Sequence, residues 1–434
     1  FEKTFSDIAK WVEQVDVPDR IGETVARAIH IAESGTPGPV VVSLPTDVLT
    51  SMTEAEAVPR PTRPVVRPND ADVAEVADAL AKAERPIMIV GGRVASTEAR
   101  RSLLAVSEAW GVPIMPTYVH QDVFPNDHPN YGGELGIRPP DGVQATARAA
   151  DLILGVGTKL GGMATLRYSI PGKEQRVIHV YPDEARIGHN FATELGIVAD
   201  AGEFLGALAA QNAPPLPDGR TAWLEKAHKG YTDFADQPPR GVEDGLDFGH
   251  VIEAMKSHLP DDAVITVDAG SFSSWLHLKY PFKSTQTLLG SECGAMGMGV
   301  PAGVAAAIRY PERQVISVVG DGGALMTGYE LATAMRQGVR NLRIVISNNS
   351  AYGTIRLHQE THFPGRPHAT ELVNPDFAIL AQAFGAKGFV IETPEDADAV
   401  MKEALATDGP VVIDARTSLE YIDAKNRIAD MQPT

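Results

Sequence analysis

Short apolar runs alternate with amphipathic stretches along most of the chain. Between residues 70 and 82, Val73, Val76, Ala77 and Leu80 share one face at helical spacing, which predicts a helix. The apolar run at 86–90 that follows reads as a buried strand and stops at Gly91-Gly92. Further runs at 113–115, 152–156 and 177–181 have helical stretches between them. The last third repeats the pattern, with strands expected at 263–267, 287–289, 315–319, 343–347, 388–391 and 411–413 and a helix at 329–336. Strand and helix in alternation predict βαβ units and doubly wound parallel sheets, an α/β fold.

Two stretches interrupt the alternation. Residues 58–69 (VPRPTRPVVRPN) are proline-rich and predict an extended surface linker. Residues 212–219 (NAPPLPDG) are similar, with a short helical stretch at 221–229 and a second loop at 237–241 after them. The expected pieces are therefore 1–57, 70–211 and 241–434. The run TPGPVVV at 36–42 has an echo in TDGPVVI at 407–413, each behind an alanine-rich helix. The echo suggests that the first piece is the tail of a domain built like the last.

Two of the expected strands end in an unusual way. The run QVISVV stops at Gly320-Asp321-Gly322-Gly323, and RIVIS stops at Asn348-Asn349. An acidic group at the end of an apolar strand is costly unless its charge is needed there. In a βαβ unit both carboxyl ends lie on one edge of the sheet, where open α/β sheets bind ligands. A carboxylate, a carboxamide oxygen and a nearby main-chain carbonyl are hard ligands that suit Mg²⁺ shared with substrate phosphates. The glycines let the backbone approach those phosphates, and the following helix turns its positive end toward them. Gly-Asp-Gly alone also fits an ordinary turn; the asparagine pair favours a Mg²⁺–diphosphate site. A Walker loop is excluded, because Gly172-Lys173 is followed by Glu174 and lacks the upstream glycine.

Composition narrows the classes. Lys plus Arg total 38 against 56 Asp plus Glu, a net charge of -18, which argues against a nucleic-acid partner. Hydrophobic residues make up 44%, as in soluble globular chains. Cys293 is the single cysteine, so neither an internal disulfide nor a cysteine-built zinc site is possible, and a reducing, cytoplasmic setting is expected. No apolar run reaches the roughly 18 residues of a membrane span, and the start FEKTFSDIAKW has no apolar core of a signal peptide.

Gly320-Asp321-Gly322 followed at this distance by Asn348-Asn349 resembles the diphosphate–Mg²⁺ motif of thiamine-diphosphate-dependent enzymes. The resemblance spans nearly the whole chain and is greatest to the acetolactate synthase-like group. It implies a front piece from a pyrimidine-binding domain, a central Rossmann-like domain and a diphosphate-binding domain. It implies Asp321, the Asn349 side chain and the Ala351 carbonyl as metal ligands. Gly320, Gly322, Gly323, Tyr352, Gly353 and Thr354 would meet the diphosphate, and the turn Gly270-Ser271-Phe272 would touch it from the other side. The stretch GSECGAMGMGVPAGVAAAI at 290–308 resembles the family's pyrimidine-binding loop. There Gly294 would hold the 4'-amino group through its carbonyl and Met296 would wedge the cofactor into its bent shape; without the neighbouring motif, Met296 reads as a core methionine. The implied activity is that of a carboligase or decarboxylase acting on a 2-keto acid or related acyl donor. A homodimer or homotetramer is implied, because each cofactor in the family lies between two chains.

The chain departs from the family in three places. Residues 1–49 match only the last helix and strand of the pyrimidine-binding domain, so the family's activating glutamate is expected outside this chain; Glu2, Glu13 and Glu23 lie in the wrong region. A piece lacking that glutamate is expected to bind thiamine diphosphate weakly and turn nothing over alone. Met163 stands near the family's carboxylate-binding arginine, and His358 stands where its acceptor-selecting tryptophan is expected. His358 reads either as a proton shuttle or as an ordinary surface histidine. Gly91-Gly92, Gly155, Gly157 and Asp183 fit a crevice for FAD or another adenine nucleotide, although Leu160 stands at the third glycine of the fingerprint. A nucleotide-dependent oxidoreductase built on that crevice and a non-catalytic remnant of the family remain as alternatives.

Overall fold

The computed structural model describes residues 2–431. Phe1, where the expected first piece begins, and residues 432–434 lie outside the described residues. The larger sheet has six parallel strands in the order Lys387–Ile391, Val411–Arg416, Leu342–Asn348, Val315–Gly320, Val264–Val267 and Thr287–Gly290. Val315–Gly320 and Leu342–Asn348 are buried along their whole length. Their side chains alternate between two cores: Ile316, Val318 and Val345 join one face, while Val315, Val319, Ile344 and Ile346 join the other. Helices on both faces require such continuous apolar strands.

The order of strands creates the crevice. The chain leaves Val264–Val267 toward Thr287–Gly290 on one side, then returns to lay Val315–Gly320 on the other. The carboxyl ends of Val264–Val267 and Val315–Gly320 therefore flank a topological switch point, where nothing fills the space above the sheet edge.

A second sheet holds five parallel strands in the order Ile114–Pro116, Pro86–Val90, Leu152–Val156, Arg176–Tyr181 and Leu195–Val198. Its core is separate, built on Ile87, Ile89, Ile153, Leu154 and Val180 with the helix Thr97–Trp110 packed on it. The front of the chain adds a parallel pair, Trp11–Gln14 beside Val40–Ser43, with the helix Ile21–Glu33 between them. Two strands escape the apolar pattern, Trp11–Gln14 and Leu195–Val198. Each is four residues long and only partly buried, so neither presents a continuous apolar run.

Polar ties lock the two large sheets together. Arg100 donates to the buried Asp122 carboxylate at 2.6 Å and to the Ser284 and Gln286 carbonyls at 3.0 and 3.1 Å. Asp122 also accepts from the Leu288 amide at 3.1 Å, on the edge strand of the larger sheet. Asn126 exchanges bonds with the Phe282 backbone beside it, accepting from its amide at 3.1 Å while its own amide donates to the Phe282 carbonyl at 2.8 Å. Asp122→Ala leaves the half-buried Arg100 guanidinium without its counter-charge, and urea unfolding should show a loss of about 3 kcal/mol.

Candidate functional site

A cavity of about 470 Å³ opens at the switch point of the six-stranded sheet. It takes residues from four strand ends and one wall from the five-stranded unit. The residues singled out in the sequence converge on it. Gly270, Ser271 and Phe272 follow Val264–Val267, and Gly320 closes Val315–Gly320, with Asp321, Gly322 and Gly323 opening the next helix. Asn349, Ala351, Tyr352, Gly353 and Thr354 follow Leu342–Asn348. Gly294 and Met296 arrive from the loop behind Thr287–Gly290, and His358 stands one turn into the helix Gly353–His362.

Asp321 is buried, and burial pushes its carboxyl pKa upward while a hydrogen bond from Asn374 opposes the rise. Asn374 Nδ2 donates to Asp321 Oδ2 at 2.8 Å and to Asn348 Oδ1 at 2.8 Å. Asn348 donates in turn to Asp414 Oδ1 at 2.8 Å. The two asparagines of the pair thus part company. Asn348 serves the strand-end network, and Asn349 lines the cavity, its Oδ1 3.2 Å from the Ala351 amide.

Glycine is required where the walls close in. A Cβ on Gly323 would lie 2.1 Å from Asp268 Oδ2, and one on Gly353 would lie 2.5 Å from Ser271 Oγ. A side chain at either position would force Asp268 or Ser271 out of place, so bare backbone forms the cradle. Asp268 is buried and binds the loop that carries Met296, accepting from the Gly297 amide at 2.9 Å on both oxygens. Gly297 has φ 87° and Gly294 φ 71°, which shape this loop without strain. Met296 is 42% exposed and faces the cavity, so the core alternative for it fails. His358 is exposed at the cavity and stacks on His362 with ring centroids 6.4 Å apart.

The second crevice is smaller. Gly91, Gly92 and Gly157 line a cavity of about 300 Å³ with Arg93, Lys159 and Met163. A Cβ on Gly91 would lie 2.5 Å from the Gly157 carbonyl oxygen, so part of the glycine freedom here serves strand-end packing. Gly155 lies within its strand against Leu160, and Asp183 accepts from Thr36 at 2.5 Å; neither lines that cavity.

Several cavity residues carried no signal in the sequence. Glu134, Arg138 and Arg167 come from irregular segments of the five-stranded unit, and His277 comes from the helix Ser273–Lys279. Arg138 is paired with Asp423 at 3.2 Å. Arg167 sits only four residues beyond Met163, a proximity that could have marked it as the cation of this wall. Burial pushes the Glu134 carboxyl up to about 8 and holds His277 down to about 3.

Known proteins were compared with this chain. Residues 268–415 match the family model for the C-terminal TPP binding domain of thiamine pyrophosphate enzymes, and residues 73–208 match that for their central domain. A probable acetolactate synthase large subunit of Methanocaldococcus jannaschii is 30% identical, over 98% of this chain and 75% of its own. The acetolactate synthase isozyme 1 large subunit of Escherichia coli is 28% identical, over 96% and 72%. An acetolactate synthase of Mycobacterium bovis is 31% identical over 91% of this chain, which spans 66% of that relative. Among solved structures, the thiamine diphosphate-dependent 4-hydroxybenzoylformate decarboxylase of Rhodococcus jostii superposes with a TM-score of 0.77 at 27% identity, over 94% of this chain and 76% of that one.

The raised pKa of Glu134 has a thermodynamic consequence. Its ordinary value is 4.5 and its folded value about 8, so the folded state keeps a proton that the unfolded state releases in between. Stability then falls as pH climbs through that window. Glu134→Gln removes the penalty, and its melting temperature relative to the unaltered protein should rise steadily between pH 5 and pH 8 in parallel thermal melts. A constant difference across the window would refute the buried neutral carboxyl.

Proposed function

The chain belongs to the thiamine pyrophosphate enzymes, in their acetolactate synthase-like group, and on that premise we propose that it is a thiamine diphosphate- and Mg²⁺-dependent carboligase or decarboxylase of a 2-keto acid or related acyl donor. The family makes and breaks carbon–carbon bonds. The observation that carries the reading is the convergence of Asp321, Asn349 and Ala351 on one glycine-walled cavity.

The donor set fits the proposed ion. Asp321 offers one carboxylate, Asn349 one carboxamide oxygen and Ala351 one carbonyl, all hard oxygens of the kind Mg²⁺ takes beside phosphate. Thr354 Oγ1 and Asn374 Oδ1 are buried there without partners, as expected of groups that await a polar ligand. Among the described residues no group of three or more His, Cys, Asp or Glu could hold a metal, so a transition-metal site is not the better reading. The amides of Gly322, Gly323 and Gly353 would receive the phosphates, and Gly294 with Met296 would orient the pyrimidine. Bound thiamine diphosphate supplies a carbon nucleophile for carbonyl carbons. Asp321, Asn349 and Ala351 would hold its charged end through the ion, Met296 would support its ring end, and Arg167 and His358 line the same cavity where substrate would enter.

Residues 70–211 form the proposed central domain and 241–434 the proposed diphosphate domain, with 1–57 as part of a pyrimidine-binding one. FAD or another adenine nucleotide has its proposed place in the second cavity, beside Arg93 and Lys159; an absorbance spectrum of the purified protein tests it. Neither the oxidoreductase nor the remnant alternative draws support from the relatives. No helix among the described residues is long and apolar enough to cross a membrane, and the one cysteine fits a cytoplasmic protein.

Asp321→Ala should remove Mg²⁺-dependent thiamine diphosphate binding in the full-length protein, weakening it by more than about 100-fold in calorimetry. Unchanged affinity would overturn the metal assignment. The exposure of Met296 and the open space around Gly294 support a second copy as the missing wall, in a homodimer or homotetramer. Sedimentation of the full-length protein at micromolar concentration should give a dimer or larger; a stable monomer would refute it.

A further inference from the structure

The wall of the main cavity that comes from the five-stranded unit carries a group with no place in the reading above. Glu134 is buried, lines the cavity, and its Oε1 has no hydrogen-bond partner. Its backbone is fixed on both sides. The Gly132 amide donates to the Ile114 carbonyl and the Leu135 amide to the Pro116 carbonyl, both at 2.8 Å, so the segment lies along the strand Ile114–Pro116. Space for the carboxyl exists because position 136 is glycine; a Cβ there would lie 1.8 Å from Glu134 Oε1.

His277 reaches the same wall from the other sheet. Gln121 Nε2 lies 2.8 Å from His277 Nδ1. With Gln121 as the donor, the imidazole proton is on Nε2, and Nε2 has no partner either. Gln121 Oε1 completes a set of three buried polar atoms left open at one seam. Each such atom costs on the order of 1–3 kcal/mol. Unsatisfied buried groups that cluster in a cavity are a mark of function.

Burial keeps the carboxyl neutral, opposed only by a hydrogen bond with Gln121. Tyr118 and Tyr131 face it, and burial raises both phenols, Tyr118 to about 12. His277 is uncharged at neutral pH. Arg138 and Arg167 line the cavity, but neither bonds Glu134, and Arg138 is taken by Asp423. Asp268, near Tyr118, adds a further negative group. With no cation paired to it, Glu134 holds its proton up to about pH 8.

We propose that Glu134 is a catalytic acid of the reaction in this cavity, giving up the proton that product formation consumes, with His277 as a positioning partner. This rests on the 2-keto acid chemistry proposed above. Loss of CO₂ leaves the bonding pair on the former carbonyl carbon. If an aldehyde forms, a C–H bond is made at that carbon. If a second carbonyl is joined, a C–C bond forms there and the acceptor oxygen gains the O–H. In either case one proton is taken up, the Glu134 O–H bond breaks with its pair left on the carboxylate, and water restores the proton. No oxidant or reductant is required.

The test uses the full-length enzyme loaded with thiamine diphosphate and Mg²⁺, beside its Glu134→Gln and Glu134→Asp variants. Gln keeps the size and neutrality of the carboxyl, so a merely structural role survives it. Calorimetric affinity for thiamine diphosphate should match the unaltered enzyme. The rate of CO₂ release or product formation should fall about 10²–10⁴-fold, the usual loss for a positioned acid. The unaltered enzyme should lose kcat as pH rises through about 8, and the Gln variant should lack that limb. Infrared spectra of the unaltered protein should show a buried protonated carboxyl band that disappears over the same range, which needs no folded variant. A Gln variant with normal kcat and the same alkaline limb, or a carboxyl already ionised at neutral pH, overturns the proposal. Failure of the unaltered enzyme to bind thiamine diphosphate overturns the functional reading instead, and the proposal with it.

Discussion

The burial of one carboxylate organises this molecule. Asp321 directly follows a strand whose every residue is buried, and it stays out of water itself. A charge in that position needs partners. The protein supplies the Gly322 amide at 2.8 Å and Asn374, with the backbone of Ser350 and Ala351 acting on the same carboxyl. Through Asn374 and Asn348 the network runs on to Asp414, so three neighbouring strand ends are held in register by one chain of side-chain hydrogen bonds. A cation shared with a diphosphate would supply what those neutral partners cannot, a compensating charge.

The glycines follow from the same constraint. Bringing phosphate to the Asp321 end of the sheet demands bare backbone on both sides of the switch point. Gly323 lies against Asp268, Gly353 against Ser271, and Gly320 has the Phe272 ring 2.9 Å from where its Cβ would be. Phe272 and Asp268 are thus more than neighbours. They fill the volume the glycines give up, and Asp268 fixes the loop of Gly294 and Met296 from below.

The cavity is completed across a seam between two sheets. The Arg100–Asp122 pair and the Asn126–Phe282 exchange hold that seam closed a short way from Gln121. Rigid polar ties there let the five-stranded unit present Glu134 to a cavity otherwise built by the six-stranded one. A carboxyl so placed feels the burial of both units and the charge of neither.

What the sequence determined is local in origin. Apolar runs fixed most strands to within a residue or two, because a strand buried on both faces must be continuously apolar. The Gly-Asp-Gly turn and the asparagine pair announced the strand-end site, since both belong to one βαβ unit and their proximity follows from its geometry. The strands Trp11–Gln14 and Leu195–Val198 stayed hidden, being short and half-exposed. Tertiary structure alone decided the rest. The fold separates the two readings of Met296, cofactor wall and core, by leaving it facing a cavity; Asn374 bridges Asp321 to Asn348 from an irregular segment that no motif marks. Glu134 and His277, 143 positions apart in the chain, line one cavity, and burial, which a sequence does not carry residue by residue, raises the pKa of one and lowers that of the other.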